Sequence, residues 1–135
     1  MTATIAVVAR LTLTPAAISF PDANPDTVPQ IAALPGPVTI TAKARAPQGS
    51  AVNLTVLATD ALRSGVVTIP ATNVTWSTTG AGFVPGTLSA SAAQPVGTWI
   101  GSGARTGTQS FLFANSWSLA VGTYSTTMIY TLSVP

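Results

Sequence analysis

The 135-residue sequence contains no cysteine, no histidine and no glutamate. Without cysteine it can form no disulfide, and general acid–base chemistry would fall to three aspartates, one lysine and two tyrosines. Serine is abundant, but no serine has a plausible base nearby in the sequence, and Gly101-Ser102-Gly103 is not a nucleophile elbow. This inventory predicts that the chain is not an enzyme and uses no cofactor.

Charge is also scarce, since charged residues make up 6% of the sequence against roughly 25% in an ordinary soluble domain. The exposed surface must therefore consist largely of Thr, Ser, Ala and Gly. Repulsion between like charges normally keeps copies of a protein apart. A chain with so little charge, and with a positive mean hydropathy, is suited to packing against other copies.

Long apolar runs are missing as well. The longest one, residues 5–9, stops at Arg10 and is far too short for a membrane-spanning helix. The start of the sequence lacks the basic segment and the cleavage site of a signal peptide. We expect a protein that is extracellular or at the cell surface, and if it is secreted this sequence is its mature form. The five cations are spread along the sequence and predict no basic patch for nucleic acid: they are Arg10, Lys43, Arg45, Arg63 and Arg105.

Alternation of apolar and polar residues is the main pattern that is present, and a period of two is typical of a half-buried β-strand. No apolar face recurs at helical spacing over three turns. The strands that the pattern predicts span residues 4–13, 38–45, 51–59, 66–69, 73–78, 87–90, 96–100, 108–113 and 124–134. Strands and turns at this density predict one all-β domain, an immunoglobulin-like Greek-key β-sandwich.

The connections and the core follow from the same pattern. Pro47-Gln48-Gly49 separates two alternating stretches and predicts a hairpin between residues 38–45 and 51–59. Residues 101–107 are polar and rich in glycine, which predicts a flexible surface loop. The predicted core residues are those on the inward side of each strand: Val38, Ile40, Val52, Leu54, Val56, Trp76, Met128, Tyr130 and Leu132.

Leu119, Gly122 and Tyr124 have the spacing of a tyrosine corner, in which glycine makes the turn and the tyrosine hydroxyl bonds to upstream backbone. Apolar residues then alternate almost to the last residue. This ending resembles that of secreted immunoglobulin-like subunits, notably the spore coat protein U-like pilins of the chaperone–usher pathway, where Gly-x-Tyr (here Gly122, Thr123 and Tyr124) precedes an alternating strand. The chain differs from those pilins at Thr126, where they usually carry aspartate, and in having no cysteine.

The resemblance implies a structural subunit of an extracellular, pilus-like filament. In such pilins an N-terminal strand leaves its own domain and fills a groove in the next copy, a head-to-tail contact that propagates as a fibre. Residues 1–14 would be this donor strand and residues 15–135 the sandwich domain. The alternative is that the segment forms the first strand of its own sandwich. The side chains that donation would place in the neighbouring copy are Ile5, Val7, Ala9, Leu11 and Leu13.

A metal site is a further possibility in the sequence. Asp22, Asn24 and Asp26 imitate the start of a calcium loop. Thr27, however, stands where that loop needs glycine, and Ala33 stands where it needs glutamate. Capping of turns next to prolines is the favoured interpretation, and no metal is predicted.

Three tryptophans, Trp76, Trp99 and Trp117, could form a platform on which sugar rings stack. Each lies in an apolar setting, which favours packing in the core or between subunits. The platform supports an alternative function, a secreted monomeric sandwich module that binds carbohydrate or a surface partner. A virion or tail decoration domain would share the same sandwich.

Overall fold

The computed structural model describes residues 1–135, and nearly all of its regular structure is β-strand. The one helical element is a single 3₁₀ turn, Ala71–Asn73. The strands are β1 (Val8–Thr14), β2 (Gln30–Ala32), β3 (Val38–Arg45), β4 (Ala51–Ala58), β5 (Leu62–Ser64), β6 (Val67–Ile69), β7 (Val74–Thr79), β8 (Gly86–Thr87), β9 (Gln94–Ile100), β10 (Gly103–Ala114) and β11 (Met128–Ser133).

Two sheets share one core, and β5 and β6 pair with each other in a separate antiparallel hairpin. The first has the order β1–β3–β10–β7–β8, with β2 beside the last residues of β10, and the second has the order β11–β4–β9. All of these pairings are antiparallel. Ile40 and Phe111 of the first sheet lie in the same apolar cluster as Leu54 and Val96 of the second. The chain is therefore an all-β sandwich, as the sequence predicts, and the immunoglobulin-like Greek-key connection stays a prediction.

The core lies where the alternation places it. Met128, Tyr130 and Leu132 pack against the core cluster but are only partly buried. They lie on β11, an edge strand that pairs only with β4, so its other edge has no hydrogen-bonded strand beside it. The other six predicted core residues are buried, which confirms them: Val38, Ile40, Val52, Leu54, Val56 and Trp76.

The predicted hairpin between residues 38–45 and 51–59 is wrong. β3 pairs with β1 and β10 in the first sheet, whereas β4 pairs with β9 and β11 in the second, so the turn at Pro47 carries the chain from one sheet to the other. Alternation is the same for strands that lie side by side and for strands that face each other across a core, and it cannot distinguish them. Ser102 holds the crossing, because its Oγ accepts a hydrogen bond from the Ala46 N–H at 2.9 Å.

The predicted flexible loop at residues 101–107 is also wrong, because residues 103–107 form the first half of β10. β10 is flanked by β3 over its first part and by β7 over its second. At Gly107 an added Cβ would lie 2.4 Å from the carbonyl oxygen of Thr79 and 2.5 Å from the ring of Phe83. Glycine in this strand therefore marks close approach of its neighbours and not flexibility.

Candidate subunit-contact site

β1 contains three of the five predicted donor residues. The strand pairs along its whole length with β3 of the same chain. Leu11 lies opposite Ala42 and Leu13 opposite Ile40, and both leucines pack against the core of their own domain. Ala9 is exposed. In the single chain these residues thus form the first strand of their own sandwich.

The other two predicted donor residues lie in residues 1–7, which precede β1 and are exposed throughout. Ile5 is 74% exposed and Val7 is 56% exposed. Val8, the first residue of β1, is also exposed. The segment therefore carries exposed aliphatic side chains that lie close to one another. Single exposed apolar residues are normal on a soluble protein, but a contiguous group of them indicates a contact surface.

A groove of about 1000 Å³ opens between the two sheets near Ala114, the last residue of β10. Residues 18–25 form one wall and residues 115–126 form the other. Fifteen of its 26 lining residues are hydrophobic, so the groove is an apolar opening toward the core. Its floor is made by side chains of the core cluster: Leu62, Ile69, Val74, Leu88 and Phe113.

The second wall exists because the final strand is shorter than the alternation predicts. The predicted strand spans residues 124–134, but β11 begins at Met128, opposite Ala58, the last residue of β4. Upstream of Met128 there is no β4 residue left to pair with. Ser125 instead bridges to Arg63 in the β5–β6 hairpin, through two backbone hydrogen bonds of 2.9 and 3.0 Å.

The residues of the predicted tyrosine corner hold this wall in place. The Tyr124 hydroxyl donates a hydrogen bond to the carbonyl oxygen of Ala120 at 2.9 Å, which is the bond that the corner requires. Leu119 packs against the core cluster. A Cβ on Gly122 would lie 2.7 Å from Ser64 Oγ, so a larger residue at this turn would push the wall away from the β5–β6 hairpin.

The first wall is tied to the second by side chains that follow β10. Asn115 donates through Nδ2 to the carbonyl oxygens of Ala23, at 2.9 Å, and Val28, at 3.1 Å. Trp117 donates through Nε1 to Asp26 Oδ1 at 3.0 Å. The groove therefore has hydrogen-bonded walls although neither wall is a strand.

The acidic segment beside the groove is organised as a turn. Asn24 Oδ1 accepts a hydrogen bond from the Asp26 N–H at 2.9 Å, and the Asn24 carbonyl oxygen accepts one from the Val28 N–H at 2.8 Å. The structure contains no group of three or more His, Cys, Asp or Glu side chains that could together hold a metal ion. Asp22 makes no side-chain hydrogen bond and stands exposed at the groove.

The three tryptophans lie in different surroundings. Trp76 is buried and donates through Nε1 to the carbonyl oxygen of Val84 at 3.0 Å. Trp99 is half-buried, and the Arg105 guanidinium lies 5.8 Å from its ring centroid. Trp117 is 70% exposed. The three rings therefore form no common platform, and Trp117 alone presents its ring to solvent beside the groove.

Charges are distributed unevenly over the molecule. The structure has one ion pair, Arg63 with Asp60, and its hydrogen bond lowers the pKa of the Asp60 carboxyl and raises that of Arg63. Arg105 donates to the carbonyl oxygens of Ile100 and Gly101. The remaining cations and the remaining acids have no partner of opposite charge.

Three of those cations are neighbours. Arg10 on β1 lies directly opposite Lys43 on β3, and Arg45 follows on the same exposed side of β3. Position 10 is too far from positions 43 and 45 in the sequence for a local pattern to predict this neighbourhood. The expectation that the chain has no nucleic-acid partner stays a prediction. The pairing of β1 with β3 creates a small basic patch at the end of the first sheet, where residues 1–7 join β1.

Next to the basic patch, the outer face of the first sheet is covered by hydroxyl groups. Thr12, Thr41 and Thr106 lie side by side on β1, β3 and β10. In the next row, Thr79 and Thr108 join their hydroxyls at 2.6 Å. Beyond the basic patch the face is polar and uncharged, which agrees with the hydroxyl-rich surface expected from composition.

One polar contact lies inside the core, between the two sheets. The Tyr130 hydroxyl on β11 donates to Oε1 of the fully buried Gln109 on β10 at 2.6 Å. Gln109 Nε2 has no hydrogen-bond partner. Burial raises the pKa of the Tyr130 hydroxyl, and the contact joins the edge strand of one sheet to the central strand of the other.

No helix of this fold has the length and the apolar character needed to cross a membrane. Comparison of the chain with protein-family models, with curated proteins and with solved structures finds no match.

Proposed function

We propose that this protein is a structural subunit of an extracellular filament, in which copies join head to tail by donating residues 1–7, the segment that precedes β1. The observation that carries the proposal is the state of residues 1–7, which present Ile5 and Val7 to solvent. Burying such aliphatic side chains contributes about 1.5–3 kcal/mol each. A second copy is the partner that this chain always has available.

The surface composition supports the same function. With charged residues at 6% and a hydroxyl-covered outer face, copies can approach closely with little electrostatic repulsion. β1 also lies at the edge of its sheet and pairs with β3 alone, so its outer backbone groups are free to bond to a neighbouring strand.

The experiment compares the full chain with a variant that lacks residues 2–7, by sedimentation velocity and negative-stain microscopy at increasing concentration. We expect the full chain to form fibres and the shortened variant to stay monomeric with an unchanged melting temperature, because none of the removed residues packs against the core of its own domain. A second variant, Ile5→Ser with Val7→Ser, should also stay monomeric.

Val66 supplies the matched control, since it is aliphatic and 95% exposed but lies at the turn between β5 and β6. Val66→Ser should assemble as the native chain does. Assembly by all variants alike, or a native chain that remains monomeric at every concentration tested, would contradict the proposal.

The alternative function, carbohydrate binding by a monomer, is favoured by one observation. Trp117 exposes its ring beside the groove while Asp26 fixes its indole N–H, and an exposed ring near carboxylates suits a sugar. If this function holds, oligosaccharides should quench tryptophan fluorescence of the monomer and Trp117→Ala should abolish the response. Trp99→Phe is the control, because Trp99 lies away from the groove.

A further inference from the structure

Residues 1–7 and the groove lie at opposite ends of the molecule. Val8 pairs with Arg45, one residue beyond the pair of Ala44 with Gly103 at the start of β10, whereas the groove opens beside Ala114 at the end of β10. The eleven steps from residue 103 to residue 114 cover about 36 Å. Seven extended residues span at most about 25 Å, so the segment cannot reach the groove of its own chain.

The basic patch surrounds the point from which this segment leaves the sheet. Arg10 and Lys43 are directly opposed like charges, an arrangement that destabilises a sheet. A chain with five cations in 135 residues places three of them together with no anion of its own beside them. An anionic surface on another molecule would remove the repulsion.

The groove end carries the opposite charge. Asp22 lines the groove, and Asp26 is bonded to Trp117 on its rim. Neither carboxylate pairs with a cation of its own chain. The only other charges near this end are Asp60 and Arg63, which neutralise each other. The molecule is therefore basic where residues 1–7 leave it and acidic where the groove opens.

From this complementarity we propose that residues 1–7 of one copy occupy the groove of the next copy, with the basic patch of the first set against Asp22 and Asp26 of the second. The inference rests on the proposed function and names its receiving site. Ile5 and Val7 are two residues apart and so point to the same side of an extended segment, where the apolar floor can receive them. β1 stays in its own sheet as the rigid base of the donated segment.

Such a contact uses two different surfaces of each copy, so it does not close on itself and propagates in one direction. Each added copy hides one N-terminal segment and one groove. Attraction between the charged ends would speed association and fix the orientation of the copies, and it would weaken as salt screens exposed charges.

The experiment reverses the charge at each end separately. One variant carries Asp22→Lys and Asp26→Lys and is positive at both ends; the other carries Arg10→Glu, Lys43→Glu and Arg45→Glu and is negative at both ends. At low salt each variant alone should assemble about tenfold less or worse than the native chain, because like charges then meet at the contact. An equimolar mixture should restore fibres, since each end then meets its opposite.

The control exchanges the internal ion pair, Asp60→Arg with Arg63→Asp, and should assemble normally. Thermal melts should place all variants within a few degrees of the native chain, which separates loss of contact from loss of fold. Native fibres together with full assembly of either reversed variant, or a mixture that stays unassembled, would overturn this inference while leaving the proposed function intact. Absence of native fibres would overturn both.

Discussion

The middle of the sandwich and its two ends differ in how completely folding covers apolar side chains. In the middle, Ile40 on one sheet and Leu54 on the other are fully buried, because each sheet supplies the cover for the other. At one end Ile5 and Val7 remain exposed, and at the other the groove opens to the core cluster. The middle accounts for the fold, and the uncovered ends are where a partner can be bound.

The edge strand β11 lies between these extremes. Leu54→Ala should lower the free energy of unfolding by about 2–5 kcal/mol, since it removes a fully buried side chain from the middle of the core. Leu132→Ala, opposite Leu54 on β11, should cost about 1–2 kcal/mol because its side chain is only partly buried. Denaturant melts measure both, and equal losses would show that the edge is packed as tightly as the middle.

The contact between Tyr130 and Gln109 should give the next largest effect. Tyr130→Phe leaves Gln109 Oε1 buried without a donor, which should cost about 1–3 kcal/mol. The double variant with Gln109→Leu removes both partners and should recover part of this loss. Unfolding curves of the native chain, Tyr130→Phe, Gln109→Leu and the double variant test the coupling, and additive losses would contradict it.

The same tyrosine sets a dependence on pH. Burial raises its pKa in the folded state, so the folded chain holds the proton more tightly than the unfolded chain. The resulting stability is fully present below a pH of about 10, the ordinary pKa of tyrosine, and is lost as the pH rises through the folded-state value. The melting temperature of Tyr130→Phe should therefore fall less steeply with rising alkaline pH than that of the native chain. An equally steep fall would show that titration of Tyr130 is not the cause.

Tyr124 holds a wall of the groove, so its substitution probes the groove separately from the core. Tyr124→Phe removes the hydrogen bond to Ala120 and should destabilise by about 1 kcal/mol. Because the bond fixes a groove wall and not the core, hydrogen exchange should rise in residues 115–127 more than in β3 or β10. A uniform rise across the chain would place Tyr124 in the global fold instead.

Calcium should have the smallest effect. Asn24 and Asp26 are engaged in a turn, and no group of three acidic or imidazole ligands is present. Added calcium and added chelator should both leave the melting temperature unchanged. A shift of several degrees would show that a bound ion stabilises the folded state.

Sequence pattern predicted what depends on local spacing alone: the class of fold, the buried faces of β3 and β4, and the residues of the Tyr124 turn. It failed where the outcome depends on which strands are neighbours. Alternation could not show that β3 and β4 lie in different sheets, and the glycines of residues 101–107 suggested a loop although Gly107 is required by close packing against Thr79 and Phe83. The groove and the basic patch arise from contacts between distant segments, so no local pattern could predict either.

The most direct test of the account is a disulfide between copies, since the native chain has no cysteine. Ile5→Cys places a thiol in the donated segment, and Ala120→Cys places one at the exposed groove wall. On oxidation, a chain with both substitutions should give a ladder of covalent dimers, trimers and longer species on a non-reducing gel. Ile5→Cys with Ser77→Cys should give no ladder, because Ser77 lies on the exposed outer face of β7 and does not line the groove. If the chain with Ile5→Cys and Ala120→Cys stays monomeric, or if both doubly substituted chains give the same pattern on the gel, the donation of residues 1–7 to a neighbouring groove is contradicted.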